Sequence, residues 1–226
     1  MIPLNQRLKE VSNFVNHKTL ADIGSDHAYL PLYLLEQGKI ERAIAGEVVK
    51  GPFEAAKQNV AKYQKQDLVD VRLGNGLDVI KAGEVDVITI CGMGGPLIKE
   101  ILLNGKDKLT HFPTLILQSN IHTEAVREAI LTLGYQIDHE VIMKEKKHIY
   151  EILVCNKAER ICNYTPLEMK FGPYLLKEKN EVFKEKWQRE LNQLQNVAAG
   201  IKNQKEHQEK YASLINQILA LKEVLK

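Results

Sequence analysis

The 226-residue chain predicts an α/β fold: a mostly parallel, doubly wound sheet with an antiparallel edge hairpin, followed by a helical hairpin. Three observations carry that prediction. Short apolar runs alternate with segments of helical periodicity through the first 133 residues. Two β-rich runs then follow one another with no room for a helix between them. Beyond them, apolar residues recur in steps of three and four along a charged background.

The elements follow in order. An amphipathic opening segment sets Leu4, Leu8, Val11, Phe14 and Val15 at helical spacing. Strands are expected at Thr19–Ile23, Ala43–Val48, Val69–Leu73, Val85–Cys91 and Thr114–Gln118. Helices are expected between them, at Leu30–Gln37, Pro52–Tyr63, Pro96–Leu103 and Thr123–Leu133. Near-continuous apolar strands such as "VDVITIC" are what a sheet covered on both faces requires. "YQIDHEVIMK" and "HIYEILVCN", separated by the charged "EKK", should pair as an antiparallel hairpin at the sheet edge. A parallel sheet finished this way has the outline of the Rossmann-like class I methyltransferase fold, not of a dehydrogenase.

"TPLEMKFGPYLL", with two prolines and a glycine, reads as a connector leading into a helix. Trp187, Leu191, Leu194, Ala198 and Ile201 form one narrow seam, and Tyr211, Leu214, Ile218, Leu221 and Leu225 a second. "GIKNQKEHQ" between them can host the turn of an antiparallel, coiled-coil-like hairpin. The boundary is placed at 160/161, giving an α/β domain over 1–160 and a helical domain over 161–226.

Composition narrows the function classes. A formal charge of +2 does not by itself imply nucleic acid, but its distribution is uneven. Residues 157–226 carry 13 Lys and Arg against nine Asp and Glu, whereas residues 1–156 carry 18 against 20. The basic excess of the tail suits an anionic partner, and equally a solvated helix pair. Cys91, Cys155 and Cys162 are odd in number and contain no Cys-x-x-Cys pair, which argues against a disulfide scaffold or a zinc site. A reducing cytoplasm fits that usage. No signal segment and no apolar run long enough to span a bilayer is seen, so a soluble intracellular protein is expected.

The chemistry is concentrated at the predicted strand ends, where open α/β sheets bind ligands. Asp22 and Gly24 end the first strand, with Ser25, Asp26 and His27 in the turn. No Gly-x-Gly-x-x-Gly fingerprint is present, which weakens a nicotinamide or flavin reading. Glu47, 25 residues after Asp22, is placed to accept hydrogen bonds from two ribose hydroxyls, or is a plain surface charge. Asn75 and Gly76 in "LGNGLDVI" offer a tight turn and an amide that could touch an adenine ring. "CGMGGP" lets backbone pass close to a planar ligand. Taken in order, the four strand ends fit S-adenosylmethionine.

"LADIGSDHAYLPLYL", "AGEVVKGPFEAA", "GNGL" and "ICGMGG" resemble the bacterial tRNA (adenine-22-N1)-methyltransferases, and the likeness runs through "LILQSN" into the helical tail. The resemblance implies a class I methyltransferase domain and a helical domain that together methylate N1 of an adenine in the D arm of tRNA. By that likeness Asp22, Gly24 and Ser25 form the first cofactor motif, and Glu47 holds the ribose with Val48 on the adenine. Asn75 and Gly76 then border the adenine, and Gly92 and Met93 line the passage to the transferred methyl, with Gly94 facing the substrate. Asp26, His27 and Tyr29 fall between cofactor and target base. "CGMGG" departs from the Asp/Asn-Pro-Pro-aromatic signature of exocyclic-amine methylation and from the Pro-Cys of cytosine C5 enzymes, so Cys91 is expected to be a small buried thiol, not a nucleophile.

Adenine N1 carries an in-plane lone pair, so alignment and stabilisation of the developing cation matter more than a general base. Asp26 suits that role, or caps the following helix; His27 and Tyr29 have packing as their alternative. Lys177, Lys179, Lys184, Lys186, Arg189, Lys202 and Lys205 could supply phosphate contacts, although interleaved glutamates make part of this a salt-bridged face. tRNA is the expected partner, with no membrane and no DNA. The sequence does not fix an oligomeric state, and a monomer is compatible with it. A small-molecule methyltransferase and a non-catalytic RNA- or protein-binding adaptor remain the competing functions.

Overall fold

The computed structural model describes residues 2–160, 163–202 and 207–226. Contacts divide the chain into two compact units, Met1–Gly172 and Pro173–Lys226.

The first unit is built on seven strands in the order β3-β2-β1-β4-β5-β7-β6. These are β1 (Thr19–Ile23), β2 (Arg42–Glu47), β3 (Val69–Leu73), β4 (Val87–Met93), β5 (Thr114–Ser119), β6 (Tyr135–Glu145) and β7 (His148–Lys157). Strands β3, β2, β1, β4 and β5 are parallel, while β7 runs antiparallel to β5 and β6 closes one edge as the expected hairpin. Helices α1 (Gln6–Asn13), α2 (Tyr29–Glu36), α3 (Lys50–Lys62), α4 (Gly95–Asn104) and α5 (Thr123–Thr132) accompany the sheet.

Neighbouring strand residues bury on opposite faces, which is why these runs are continuously apolar. Ile88, Ile90, Leu115 and Leu117 pack with Ile98 and Leu102 of α4 and Val126 and Ile130 of α5. Val87 and Ile116 enter the other core with Val11 of α1, Leu30 and Leu34 of α2, and Val60 of α3. Each such side chain contributes roughly 1.5–3 kcal/mol when removed from water.

Helix α6 (Pro166–Phe171) carries a full capping box, Thr165 and Glu168 bonding each other's backbone N–H groups. It belongs to the first unit because Arg127 of α5 reaches it: Nη1 donates to the carbonyls of Met169 at 3.2 Å and Lys170 at 3.4 Å. The division at Gly172–Pro173 thus falls later than 160/161. Composition changes near residue 163, but the tie that holds the following helix comes from a residue distant in sequence.

The second unit contains α7 (Leu175–Glu178), α8 (Glu181–Ile201) and α9 (Gln208–Val224). Trp187, Leu191 and Ala198 of α8 and Leu214, Ile218 and Leu221 of α9 are buried as the periodicity predicts. Phe183 and Val224 join them, whereas Leu194, Ile201, Tyr211 and Leu225 are only half-buried. The apolar stripe is therefore displaced slightly from the expected seam. Part of the predicted turn, including Lys205, lies outside the described residues, as does Cys162. Among the described residues no helix is long and apolar enough to cross a membrane.

Candidate active site

Strand order reverses between β2-β1 and β4-β5, so the carboxyl ends of β1 and β4 diverge and leave a crevice between them. A cavity of about 580 Å³ opens there, within the ~300–1,000 Å³ usual for small-molecule sites. Its walls come from α1 (Arg7, Leu8), the β1–α2 turn (Gly24, Ser25, Asp26, Tyr29) and the end of β4 (Cys91, Gly92, Met93), with Asp22 at the base.

Asp22 is buried at the end of β1, and its carboxylate accepts hydrogen bonds from Ser25 Oγ and Thr89 Oγ1, both at 2.6 Å. Burial pushes the Asp22 carboxyl above the ordinary carboxylate range, and those two hydroxyls oppose the shift. Glu47 is likewise buried, so it is not a surface charge. Burial raises its pKa also, while the Asp26 N–H, donating to Oε1 at 2.5 Å, holds it down.

The turn is bent in an unusual way. Asp26, His27 and Ala28 have φ of 40°, 66° and 57°, three consecutive non-glycine residues in the left-handed region. The residue that caps α2 is Ala28, with no side-chain cap, so Asp26 is not the N-cap. Its side chain is 80% exposed and lies 3.5 Å from His27 Nε2, so it remains available at the cavity mouth. The His27 ring packs against Tyr29 at 5.6 Å between centroids, and its carbonyl accepts from Asn59 Nδ2 at 3.0 Å. Gly24 has φ of 69°, and a Cβ there would come within 2.3 Å of the Met93 methyl. Glycine suits this left-handed position, and a larger residue would also have to displace the Met93 methyl.

Two loops beyond β4 and β5 are equally close. Gly95 N–H donates to the Ile121 carbonyl at 2.8 Å, and a Cβ on Gly95 would lie 1.9 Å from the His122 carbonyl oxygen. Gly94 caps α4 beside this contact. At the β4 bulge, Gln118 Oε1 accepts from Gly92 N–H at 2.8 Å and Asn120 Nδ2 donates to the Gly92 carbonyl at 2.7 Å. The Cys91 thiol is half-buried and its pKa is pushed up by burial and by Asp22, which suits a strand-end thiol that stays protonated.

The predicted residues do not all meet in one cavity. Asp22, Gly24, Ser25, Asp26, Tyr29, Gly92 and Met93 line it, and Glu47 and His27 join through the turn. Asn75 and Gly76 line a separate, smaller cleft with Leu97 and Ile101. Val48, at 62% exposure, follows Glu47 at the end of β2 and lines neither of these cavities. Lys177, Lys184 and Arg189 lie in the second unit; Lys184 pairs with Glu181 at 2.8 Å, Arg189 with Glu185, and Lys177 sits over the Tyr174 ring. Exposed pairs of this kind are worth at most about 1 kcal/mol and exchange readily for another anion.

Four polar contributors escape the sequence reading. Thr89 and Gln118 are polar residues in apolar strands, a signal that "VDVITIC" and "LILQSN" do contain. Asn120 follows β5 as an ordinary loop residue, and Arg7 sits on the polar side of an amphipathic segment, where nothing marks it.

A profile of the TrmK family, described as tRNA (adenine(22)-N(1))-methyltransferase, matches residues 20–223. The tRNA (adenine(22)-N(1))-methyltransferase of Bacillus subtilis strain 168 is 43% identical over 99% of this chain and 98% of its own length. The chain belongs to this family. Two solved structures extend the likeness to the fold. The Bacillus subtilis TrmK tRNA methyltransferase is 42% identical, with 100% of each chain covered and a TM-score of 0.94. A Streptococcus pneumoniae protein solved in complex with S-adenosyl-L-methionine is 40% identical, covering 99% of this chain and 100% of the other, with a TM-score of 0.90. This TrmK family member has the Rossmann-like methyltransferase fold.

Proposed function

We infer that the chain transfers the methyl group of S-adenosylmethionine to N1 of adenine 22 in tRNA. The observation that carries the chemical part is the acidic crevice where β1 and β4 diverge, with Asp22, Glu47 and Asp26 around one glycine-lined turn. The residues suit a cationic nucleoside: carboxylates face it, and Gly24 leaves a cradle that a Cβ would fill. The target base and atom are supported by full-length similarity to the Bacillus subtilis enzyme.

The cofactor supplies an electrophilic methyl on a sulfonium centre. Asp22, Gly24 and Ser25 would take its methionine end, and Glu47 would take the ribose hydroxyls as acceptor. Val48 would pack on its adenine, with Asn75 and Gly76 of the neighbouring cleft bordering it. Gly92 and Met93 line the way to the reacting methyl, and Gly94 faces the incoming base. Asp26 accepts from the target adenine's amino group and balances the positive charge that the ring acquires. His27 and Tyr29 complete the wall that orients the base. No residue needs to abstract a proton, because N1 attacks through its own lone pair. N1 lies on the pairing edge, so the base must leave its stack first, a step that calls for further grip on the RNA. Lys177, Lys184 and Arg189 of the helical unit provide it through phosphate contacts. The protein works in the cytoplasm, on tRNA and not on DNA.

Methyl-labelled cofactor and unmodified tRNA test this directly. Label is expected as 1-methyladenosine, and is expected to vanish when position 22 is changed to guanine. Label in another nucleoside, or in no tRNA at all, overturns the proposal in favour of a different methyl acceptor.

Asp22 itself yields a prediction of opposite signs. Its native pKa lies above its unfolded value, so the folded protein holds the proton more tightly than the unfolded chain does. The carboxylate therefore destabilises the fold as pH rises from the ordinary carboxylate range through the raised value. Asp22→Asn, which removes the ionisation, should raise Tm relative to wild type at pH above that window. The gain should shrink in acid. The same variant should bind S-adenosylhomocysteine about tenfold or more weakly in calorimetry, through loss of a charged acceptor. Unchanged Tm with unchanged binding would count against both halves.

A further inference from the structure

We propose that the turn joining β6 to β7 holds the phosphate backbone of tRNA at the mouth of the crevice. The proposal rests on the tRNA reading above and adds a surface of the first unit to the grip on the RNA. Glu151 of β7 pairs with Ser119, the last residue of β5, and Ser119 also pairs with Met93 at the end of β4. His148, Ile149 and Tyr150 therefore continue beyond the carboxyl ends of both strands, by roughly 10 Å at ~3.3 Å per residue. Two links tie this overhang to the crevice. The centre of the Tyr150 ring lies 5.4 Å from the guanidinium carbon of Arg7, a residue of the cavity wall. Gln6 N–H, in the same turn of α1, donates to Glu145 Oε1 at 2.7 Å.

The tip of the hairpin reads "KEKKH". Lys144, Lys146, Lys147 and His148 are exposed, and the carboxylate of Glu145, the one acid among them, accepts from the backbone of α1. The crevice has the opposite character, with Asp22, Asp26 and Glu47 around it. A polyanion is repelled there, and at physiological salt exposed charges more than about 8 Å away are largely screened. Compensation has to come from the mouth itself, and the turn supplies it. The backbone carries a second, independent sign. Glu145 pairs with His148, so Lys146 and Lys147 form a two-residue turn, and Lys146 has φ of 56°. Left-handed positions of hairpin turns favour Asn, Asp or Gly. A lysine there serves the fold poorly, which argues for a use of its charge. Guarding the edge strand is not that use, because Lys146 and Lys147 lie outside the ladder.

Lys146→Asn combined with Lys147→Gln separates folding from binding, since Asn suits the left-handed position. In the full-length protein, Tm should not fall and affinity for S-adenosylhomocysteine should be unchanged. Unmodified tRNA should bind about tenfold more weakly at moderate salt, and the slope of log affinity against log salt should flatten by about 1–2, as for two lost phosphate contacts. Lys146→Arg with Lys147→Arg should keep both the affinity and the slope. Unchanged tRNA affinity in the Asn and Gln variant overturns the proposal. So does weaker binding with an unchanged salt slope, which would make the turn a matter of shape and not of charge. Chemical acetylation of the wild type provides a second measure, and decides alone if the variant fails to fold. Bound tRNA should shield Lys146 and Lys147 from the reagent; equal labelling with and without tRNA overturns the proposal. Wild-type protein that binds S-adenosylhomocysteine but no tRNA instead brings down the tRNA reading, and this surface with it.

Discussion

Asp26→Ala should lower the methyl-transfer rate by about 10²–10³-fold, the usual effect of removing one group aimed at charge that develops in the transition state. Affinity for S-adenosylhomocysteine should change by no more than a few-fold. The split follows from where Asp26 sits: its backbone N–H serves Glu47, while its side chain, 80% exposed, belongs to a residue lining the cavity that we propose receives the base. Backbone strain complicates the alanine variant, because φ at this position is 40°. Asn tolerates left-handed geometry far better, so Asp26→Asn isolates the charge from the strain. An intermediate rate for Asn, measured in single turnover at saturating tRNA, would show that both the acceptor oxygen and its charge act on the reacting base. Full activity in both variants removes Asp26 from the chemistry.

The largest effect on stability is expected at Arg127. Its side chain is fully buried, with Nε bonded to Glu140 at 2.9 Å and Nη2 to Glu151 at 2.7 Å. Burial opposes the guanidinium charge, but Glu151 and Glu140 outweigh it and keep its pKa raised. Arg127→Met removes the only cation of that cluster among the described side chains in contact and leaves two carboxylates facing each other out of water. Breaking a buried pair from one side costs about 3–5 kcal/mol, which a urea unfolding curve would register as a lower midpoint. Combining it with Glu140→Leu and Glu151→Leu should recover most of the loss, since a well-packed apolar substitute often matches a buried ion cluster. If the single variant unfolds like the wild type, the cluster has no part in stability.

These two sites differ in how far the sequence discloses them. The strands are legible because a sheet buried on both faces admits few polar residues: Ile88, Ile90, Leu115 and Ile116 are all inaccessible. The edge hairpin is legible because three residues cannot hold a crossover helix. Asp22, Gly24 and Glu47 are legible because strand ends place them, and β1 and β3 begin and end where the apolar runs do. Arg127, Glu140 and Glu151 are not. Each looks like an ordinary surface charge, and only the antiparallel turn of β6 and β7 brings the glutamates beneath α5. Arg7 is hidden for a similar reason, since its partners Gln118 and Tyr150 come from opposite sides of that turn. The left-handed course of Asp26–Ala28 is also illegible, because no glycine marks it and the residues resemble a helix start.

The tie between Arg127 and α6 bears on how the chain can be shortened. A fragment ended at residue 160, the boundary expected from the sequence, discards the Met169 and Lys170 carbonyls that occupy one arm of a buried guanidinium. A fragment ended at Gly172 retains them, together with the Thr165 capping box and the buried Phe171 ring. For crystallisation, ligand screening or isotope labelling of the catalytic half, α6 and the buried Phe171 belong with the longer piece, although they read as the beginning of the tail.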